Sequence, residues 1–139
     1  MNTQELLTAA LARVPYAQFL GVRAELRGDE LTLALPFKQE LIGNPMLPAL
    51  HGGVMGALME LTALTQLAIS SKNEKFPKTI DINVEYLRTG RALDTYARAR
   101  VVKIGRRIAN VQAEAWQAER SNAIAAMHGH FMLPEADSD

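Results

Sequence analysis

The spacing of apolar residues changes along the chain from a helical repeat to a two-residue repeat. An amphipathic pattern predicts a helix over residues 2–13 that ends before Pro15, and an almost continuous apolar stretch predicts a long helix from about Gly53 to Ser71. Residues 36–50 contain three prolines and predict a loop. Short segments with alternating apolar residues predict strands, two of them forming a hairpin around Gly28-Asp29. These segments are residues 22–27, 31–35, 79–87, 94–102, 108–116 and 124–133.

The order of these segments predicts an α+β fold. Strands joined by short turns are antiparallel, and a helix this apolar must be covered on nearly all sides. We therefore expect one antiparallel sheet to curl around the long helix, with a second subunit helping to cover it. The 139 residues predict a single domain, with an N-terminal helix within residues 1–14 and a frayed acidic tail over residues 134–139.

Composition excludes several classes of function. Fifteen basic and fifteen acidic residues cancel, so nothing points to nucleic acid or to an anionic membrane surface. The absence of cysteine excludes disulfides, thiolate metal sites and cysteine nucleophiles. Residues 1–5 do not resemble a signal peptide, which predicts a cytoplasmic protein. The long apolar helix carries Glu60 near its middle, which favours a buried helix over a membrane span.

A His51-Gly52-Gly53 motif stands at the start of the long helix. The glycine pair lets backbone N–H groups at a helix N-terminus come close to a ligand, where the helix dipole favours negative charge. The pair is either a tight entry turn or an oxyanion donor, an N–H aimed at a carbonyl oxygen that gains negative charge. His51 is either a base or a cap that shapes the turn, and we favour the cap.

Glu60 is the only charged residue in this helix, and no Lys or Arg lies three or four residues from it. Burial in such surroundings would raise its pKa and make it a usable base or nucleophile near neutral pH. Gly52 and Glu60 are about 12 Å apart along a helix, too far for one carbonyl group to touch both. If both serve one site, the carboxylate comes from a neighbouring subunit, which implies a dimer with two such helices side by side.

The pattern Asn44…Leu50-His51-Gly52-Gly53…Glu60 resembles the hotdog-fold acyl-CoA thioesterases of the phenylacetate (PaaI) type, in particular bacterial YigI-like members. The run from Thr79 to Arg91 resembles their third strand and following turn, and Gly105-Arg106-Arg107 resembles their next hairpin. The resemblance extends over roughly residues 15–133.

The resemblance implies a homodimer or a dimer of dimers with sites at the subunit interface. Such sites hydrolyse a medium-chain, long-chain or aryl acyl-CoA to the free acid and CoA, without a metal or another cofactor. By analogy, the Gly52 N–H polarises the thioester carbonyl, beside Gly53, and Asn44 positions the carbonyl or the water. Glu60 from the other subunit acts as the base or the nucleophile. Many family members have Asp at this position, and both direct attack and general-base hydrolysis stay open.

Coenzyme A carries several phosphates, so a cationic rim is expected, although strand-end arginines also serve solubility. The candidates are Arg88, Arg91, Arg106 and Arg107. His128 and His130 lie on one face of a strand, but no third ligand suggests itself, and we expect no metal site.

Two alternatives belong to other classes. A hotdog hydratase or dehydratase acting on acyl thioesters pairs the helix acid with a histidine farther upstream, at the position of Met46 in this chain. A non-catalytic acyl-CoA-binding or regulatory hotdog protein would not require an isolated carboxylate. We therefore expect a thioesterase.

Overall fold

The structure is a computed structural model that describes residues 2–73 and 75–135. Residues 136–139, most of the tail predicted to fray, lie outside the described residues. In chain order the elements are α1 (Thr3–Ala12), α2 (Pro15–Leu20), β1 (Arg23–Arg27), β2 (Glu30–Leu35), a 3₁₀ helix (Gln39–Leu41), β3 (Ile42–Asn44), β4 (Ala49–Leu50), α3 (Gly52–Ser70), β5 (Lys78–Tyr86), β6 (Thr95–Ile104), β7 (Ile108–Trp116) and β8 (Ala125–Met132).

Within the described residues, six strands form one antiparallel sheet in the order β1-β2-β6-β7-β8-β5. Along β7, alternate side chains are buried towards α3, and all of them are small or β-branched. Small side chains on the inner face let the helix and sheet approach closely, because little volume separates their backbones. The sheet curls around α3, which confirms the predicted α+β arrangement. The buried residues of β7 are Ala109, Val111, Ala113 and Ala115.

The N-terminal helix begins at a capping box. The Asn2 Oδ1 accepts the Glu5 N–H at 2.8 Å, and the Asn2 side-chain amide donates to the Glu5 carboxylate at 3.0 Å. The first bond satisfies a backbone N–H that a helix start would otherwise leave unpaired, and the second joins the two side chains. Leu6, Leu7 and Ala10 are buried, so the predicted apolar face of this helix is confirmed.

Two segments differ from the sequence prediction. The first helix ends before Pro15, but Pro15 also begins α2, because a first helical residue needs no N–H donor. Residues 36–50 were expected to form a loop, yet they contain the 3₁₀ helix and the β3–β4 hairpin, in which Asn44 pairs with Ala49. These elements have only two to six residues each, too few for a repeat to be visible in the sequence.

Helix α3 forms the centre of the protein. By length and composition it is able to cross a membrane, but 67% of the apolar stretch is buried inside the fold. Thr62 and Thr65 are fully buried, and their hydroxyls donate to backbone carbonyls one turn earlier, at 2.6 and 2.7 Å. The segment is therefore a core helix, as predicted.

Gln66 joins α3 to the first hairpin. Its Oε1 accepts the Leu31 N–H at 2.9 Å, and its Nε2 donates to the Asp29 carbonyl at 2.8 Å. Gln66 is only 6% exposed, so water does not readily replace these bonds. The bonds hold the turn at Gly28, whose φ of +62° favours glycine.

We expect Gln66→Leu to lower the free energy of unfolding by about 1–3 kcal/mol, because it leaves the Leu31 N–H and the Asp29 carbonyl without their partner. Urea denaturation measures this change. Gln39→Leu, on the exposed 3₁₀ helix, is the matched control and should leave the midpoint unchanged. Equal midpoints for wild type and Gln66→Leu would contradict the prediction.

Candidate active site

The N-terminus of α3 is capped by the histidine before it. The His51 Nδ1 accepts the Gly53 N–H at 2.9 Å, and the His51 carbonyl accepts the Val54 N–H at 3.0 Å and the Met55 N–H at 3.4 Å. All but one of the N–H groups in the first turn thus donate a hydrogen bond to His51. The Gly52 N–H has no acceptor among the described residues.

This geometry separates the roles within the motif. A ring nitrogen that accepts a hydrogen bond carries no proton, so His51 holds the helix start through an unprotonated Nδ1. The sequence led us to expect Gly53 beside the substrate as well, but its N–H is already bonded to His51. Of the two glycine N–H groups, the structure leaves only that of Gly52 open to a ligand.

Tyr86, which the sequence did not single out, lies directly against Gly52. Its hydroxyl donates to the Gly52 carbonyl at 2.8 Å. A Cβ atom added to Gly52 would lie 3.2 Å from the ring and hydroxyl of Tyr86, so a side chain larger than glycine would crowd the ring. A groove of about 470 Å³ opens here, lined in part by Gly52, Met55, Tyr86 and Arg88.

Glu60 lies two turns farther along α3, and the structure corrects its predicted isolation. The Thr79 hydroxyl donates to the Glu60 Oε2 at 2.8 Å, and the glutamate is half-buried. The sequence missed this partner because it stands on β5, nineteen residues later, whereas helical spacing reveals only neighbours on the same helix. One carboxylate oxygen is therefore held and oriented by a neutral donor.

Strand β5 connects the two ends of the candidate site. It runs beside α3 in the opposite direction, because its last residue, Tyr86, bonds Gly52 while Thr79, near its start, bonds Glu60. In the part of the chain that the structure describes, it is an edge strand, paired only with β8. Gly52 and Glu60 thus lie beside opposite ends of one edge strand, and the groove that Gly52 lines does not include Glu60.

The Asn44 side chain is bonded within its own turn. Its side-chain oxygen accepts the Met46 N–H at 3.0 Å, which shapes the exposed turn between β3 and β4. The β3 strand does pack on the motif, since a Cβ atom on Gly43 would lie 2.7 Å from the His51 Cα. The structure gives Asn44 no hydrogen bond to Gly52 or Glu60.

The four candidate arginines divide between the two ends of the sheet. Arg88 and Arg91 follow β5 at the end near Gly52, and the Arg88 guanidinium donates to the Ala123 carbonyl. Arg106 and Arg107 lie in the β6–β7 turn at the opposite end, where Arg107 forms an exposed ion pair with the Glu135 carboxylate at 3.6 Å. A single chain therefore does not bring the four together.

Comparison with known families gives a match. A sequence profile described as the thioesterase superfamily matches residues 47–124, more than half of the chain. The chain belongs to the thioesterase superfamily. The matched segment includes α3 and β5, and with them Gly52, Glu60, Thr79 and Tyr86. Membership confirms the family and the hotdog fold that the motif indicated.

Solved structures resemble this superfamily member over nearly its whole length. A protein from Chromobacterium violaceum is 32% identical, with a TM-score of 0.74, over 96% of this chain and 93% of that one. A phenylacetic acid degradation-related protein from Ralstonia eutropha, named as a thioesterase candidate, is 20% identical, with a TM-score of 0.77, over 92% and 99%. A Bacillus halodurans protein solved with CoA is 16% identical, with a TM-score of 0.78, over 97% and 93%. A search of curated proteins gave no match.

His128 and His130 both lie on the outer face of β8, as their spacing predicts, away from α3. The His130 Nδ1 is 2.8 Å from the Asp81 Oδ1, and this hydrogen bond holds the pKa of Asp81 below its ordinary value. A second hollow, of about 700 Å³, includes His128 but neither Gly52 nor Glu60. Among the described residues, no group of three His, Cys, Asp or Glu side chains is placed to hold a metal.

We expect His130→Phe to raise the pKa of Asp81 towards its ordinary value of about 3.9, because the hydrogen bond that stabilises the carboxylate is lost. Because the wild-type pKa of Asp81 is lowered, its bond to His130 stabilises the folded protein at pH values above the ordinary pKa. This contribution disappears as the pH falls through the folded-state pKa of Asp81. Carboxyl ¹³C NMR titration measures the shift. His128→Phe, on the same face, should change it less, and an unshifted titration in His130→Phe would refute the assignment.

Proposed function

We propose that this protein is an acyl-CoA thioesterase, acting on a medium-chain, long-chain or aryl acyl-CoA at sites shared between two subunits. The observation that carries the proposal is the Gly52 N–H, the open amide of the described α3 N-terminus, on a residue that lines a groove with Arg88. Superfamily membership supports thioester chemistry, and the CoA bound to the Bacillus halodurans relative supports CoA as the carrier. The cytoplasmic location stays a prediction.

The first half-site supplies electrostatic stabilisation. An N–H at a helix N-terminus carries partial positive charge, and it stabilises a carbonyl oxygen that becomes negative as the carbonyl carbon is attacked. Arg88 lines the same groove, and a guanidinium is suited to a CoA phosphate. This half-site therefore binds the thioester and polarises it.

The second half-site supplies the base or nucleophile. Thr79 holds one oxygen of Glu60, which leaves the other directed for chemistry. As a base, this oxygen takes a proton from water while the water oxygen bonds the carbonyl carbon, and the C–S bond then breaks to release CoA. As a nucleophile, it bonds the carbonyl carbon itself and expels CoA, and water hydrolyses the resulting anhydride.

A second copy of the chain would join the two half-sites. The outer edge of β5 has no partner strand in the described chain, and Ile80, Ile82 and Tyr86 on this strand are exposed apolar residues. An open edge of this kind favours pairing with another strand. Antiparallel pairing of two β5 strands about a twofold axis places the Tyr86 end of one against the Lys78 end of the other. Gly52 of one subunit then lies beside Glu60 of its partner in a dimer, or in a dimer of dimers.

The proposed activity is tested on a panel of aliphatic and aryl acyl-CoA esters, with thiol detection of released CoA. We expect Glu60→Gln to lower kcat by at least about 10²-fold, because the side chain keeps its shape but loses its basic oxygen. Glu40→Gln, on the exposed 3₁₀ helix, is the control and should retain wild-type kcat. Unchanged turnover in Glu60→Gln would exclude this mechanism, and binding of CoA esters without hydrolysis by wild type would favour a binding protein.

The shared site is tested with Gly52→Pro, which removes the N–H at the helix position where proline is best tolerated. His51 already has ψ of 130°, as a residue before proline requires. Gly52→Ala keeps the N–H, so comparison of the two separates loss of the donor from crowding of Tyr86. Each of Gly52→Pro and Glu60→Gln should be nearly inactive alone, but random subunit exchange between them should restore roughly a quarter of wild-type activity in a twofold dimer.

That recovery follows because one site in each mixed dimer has both its groups intact. Subunit exchange is confirmed independently, by mass spectrometry of differently tagged copies. Confirmed exchange without recovered activity would show that the site is not shared between subunits.

A further inference from the structure

We infer that Tyr86 is a positioning residue of this site, which fixes the direction of the open Gly52 N–H by holding the neighbouring peptide group. The inference rests on the proposed function, because it concerns the same half-site. It assigns a role to a side chain that the His-Gly-Gly motif does not contain.

The peptide between Gly52 and Gly53 is held at both ends. Its carbonyl accepts the Tyr86 hydroxyl at 2.8 Å, and its N–H donates to the His51 Nδ1 at 2.9 Å. A peptide group is planar, so two bonds on opposite sides leave it little freedom to rotate. The orientation of this group relative to the preceding peptide sets the ψ angle of Gly52, the residue that bears the open donor.

The peptide before Gly52 is held on its carbonyl side alone. The His51 carbonyl accepts the N–H groups of Val54 and Met55, and the remaining polar group of that peptide is the Gly52 N–H. The carbonyl bonds belong to the helix, whereas the hydroxyl of Tyr86 comes from the neighbouring strand. Tyr86 therefore connects the donor to the rigid sheet. A donor fixed in advance stabilises developing charge better than one that must reorient.

The Tyr86 ring also explains why residue 52 is glycine. A Cβ atom there would lie 3.2 Å from three atoms of the tyrosine, the Cε1, Cζ and hydroxyl oxygen. The ring thus covers one side of Gly52 and lines the groove into which the thioester must enter. The hydroxyl bonds the Gly52 carbonyl, so we expect it to act on the reaction through Gly52.

The test begins with Tyr86→Phe, which keeps the ring and removes the hydroxyl. We expect kcat to fall about fivefold to twentyfold with KM changed less than about twofold, because the lost restraint affects the developing oxyanion more than the bound ester. Tyr16→Phe, an exposed tyrosine on α2, is the matched control. A purely structural role would lower the midpoint of unfolding without changing kcat of the folded enzyme.

A double-mutant cycle adds a second measurement. His51 and Tyr86 hold the same peptide from its two ends, so the effects of His51→Ala and Tyr86→Phe on kcat should not multiply in the double variant. Multiplicative effects would indicate that the two side chains act separately, against the inference.

Amide hydrogen exchange tests the inference without any turnover. We expect the Gly53 N–H to exchange at least about fivefold faster in Tyr86→Phe, because its peptide has lost the restraint from the neighbouring strand, while the amides of β7 stay unchanged. If the wild type hydrolyses acyl-CoA, an unchanged kcat in Tyr86→Phe overturns the inference alone. If the wild type hydrolyses no ester, the proposed function fails, and unchanged Gly53 exchange then overturns the positioning role as well.

Discussion

The burial of helix α3 is the constraint on which the rest of the structure depends. The helix has nineteen residues and a single charged side chain, so a sheet must cover most of its surface. The inner face of β7 is built mainly from alanines, which lets the helix approach closely without forcing the strands apart. Strand β5 of this sheet bonds both Gly52 and Glu60, through Tyr86 and Thr79.

The same helix separates the two groups of the proposed site, the Gly52 N–H and the Glu60 carboxylate. A helix start and a carboxylate two turns later point to places about 12 Å apart, and no side-chain movement makes them meet on one carbonyl. In the proposed dimer, antiparallel pairing of two β5 strands about a twofold axis would bring the Gly52 of one copy beside the Glu60 of the other. Each copy of that proposed dimer would offer its donor where the other offers its carboxylate, so the exposed edge of β5 would determine both assembly and chemistry.

Much of the fold was predictable because it rests on repeating patterns. The long helix, the antiparallel strands and the Asn2 cap each follow from spacing within a short window of sequence. The helix α2 and the β3–β4 hairpin were missed because they are shorter than such a window. Thr79 and Tyr86 were missed for another reason: each meets α3 only after the chain has turned back along it. Their partners lie nineteen and thirty-four residues away, where no local pattern reaches.

The glycines of the motif are best understood from the rings that surround them. A Cβ atom on Gly53 would lie 3.0 Å from the imidazole of His51, and one on Gly52 would lie 3.2 Å from the ring of Tyr86. Because each glycine lacks a Cβ atom, an aromatic ring lies close to it. The His51 ring accepts the Gly53 N–H, and the Tyr86 hydroxyl donates to the Gly52 carbonyl. A cap built from serine or aspartate would also satisfy the helix start, but it would not fill the space that keeps the turn in place. The open Gly52 N–H therefore lies in a turn packed by rings on both sides, as the proposed oxyanion donor requires.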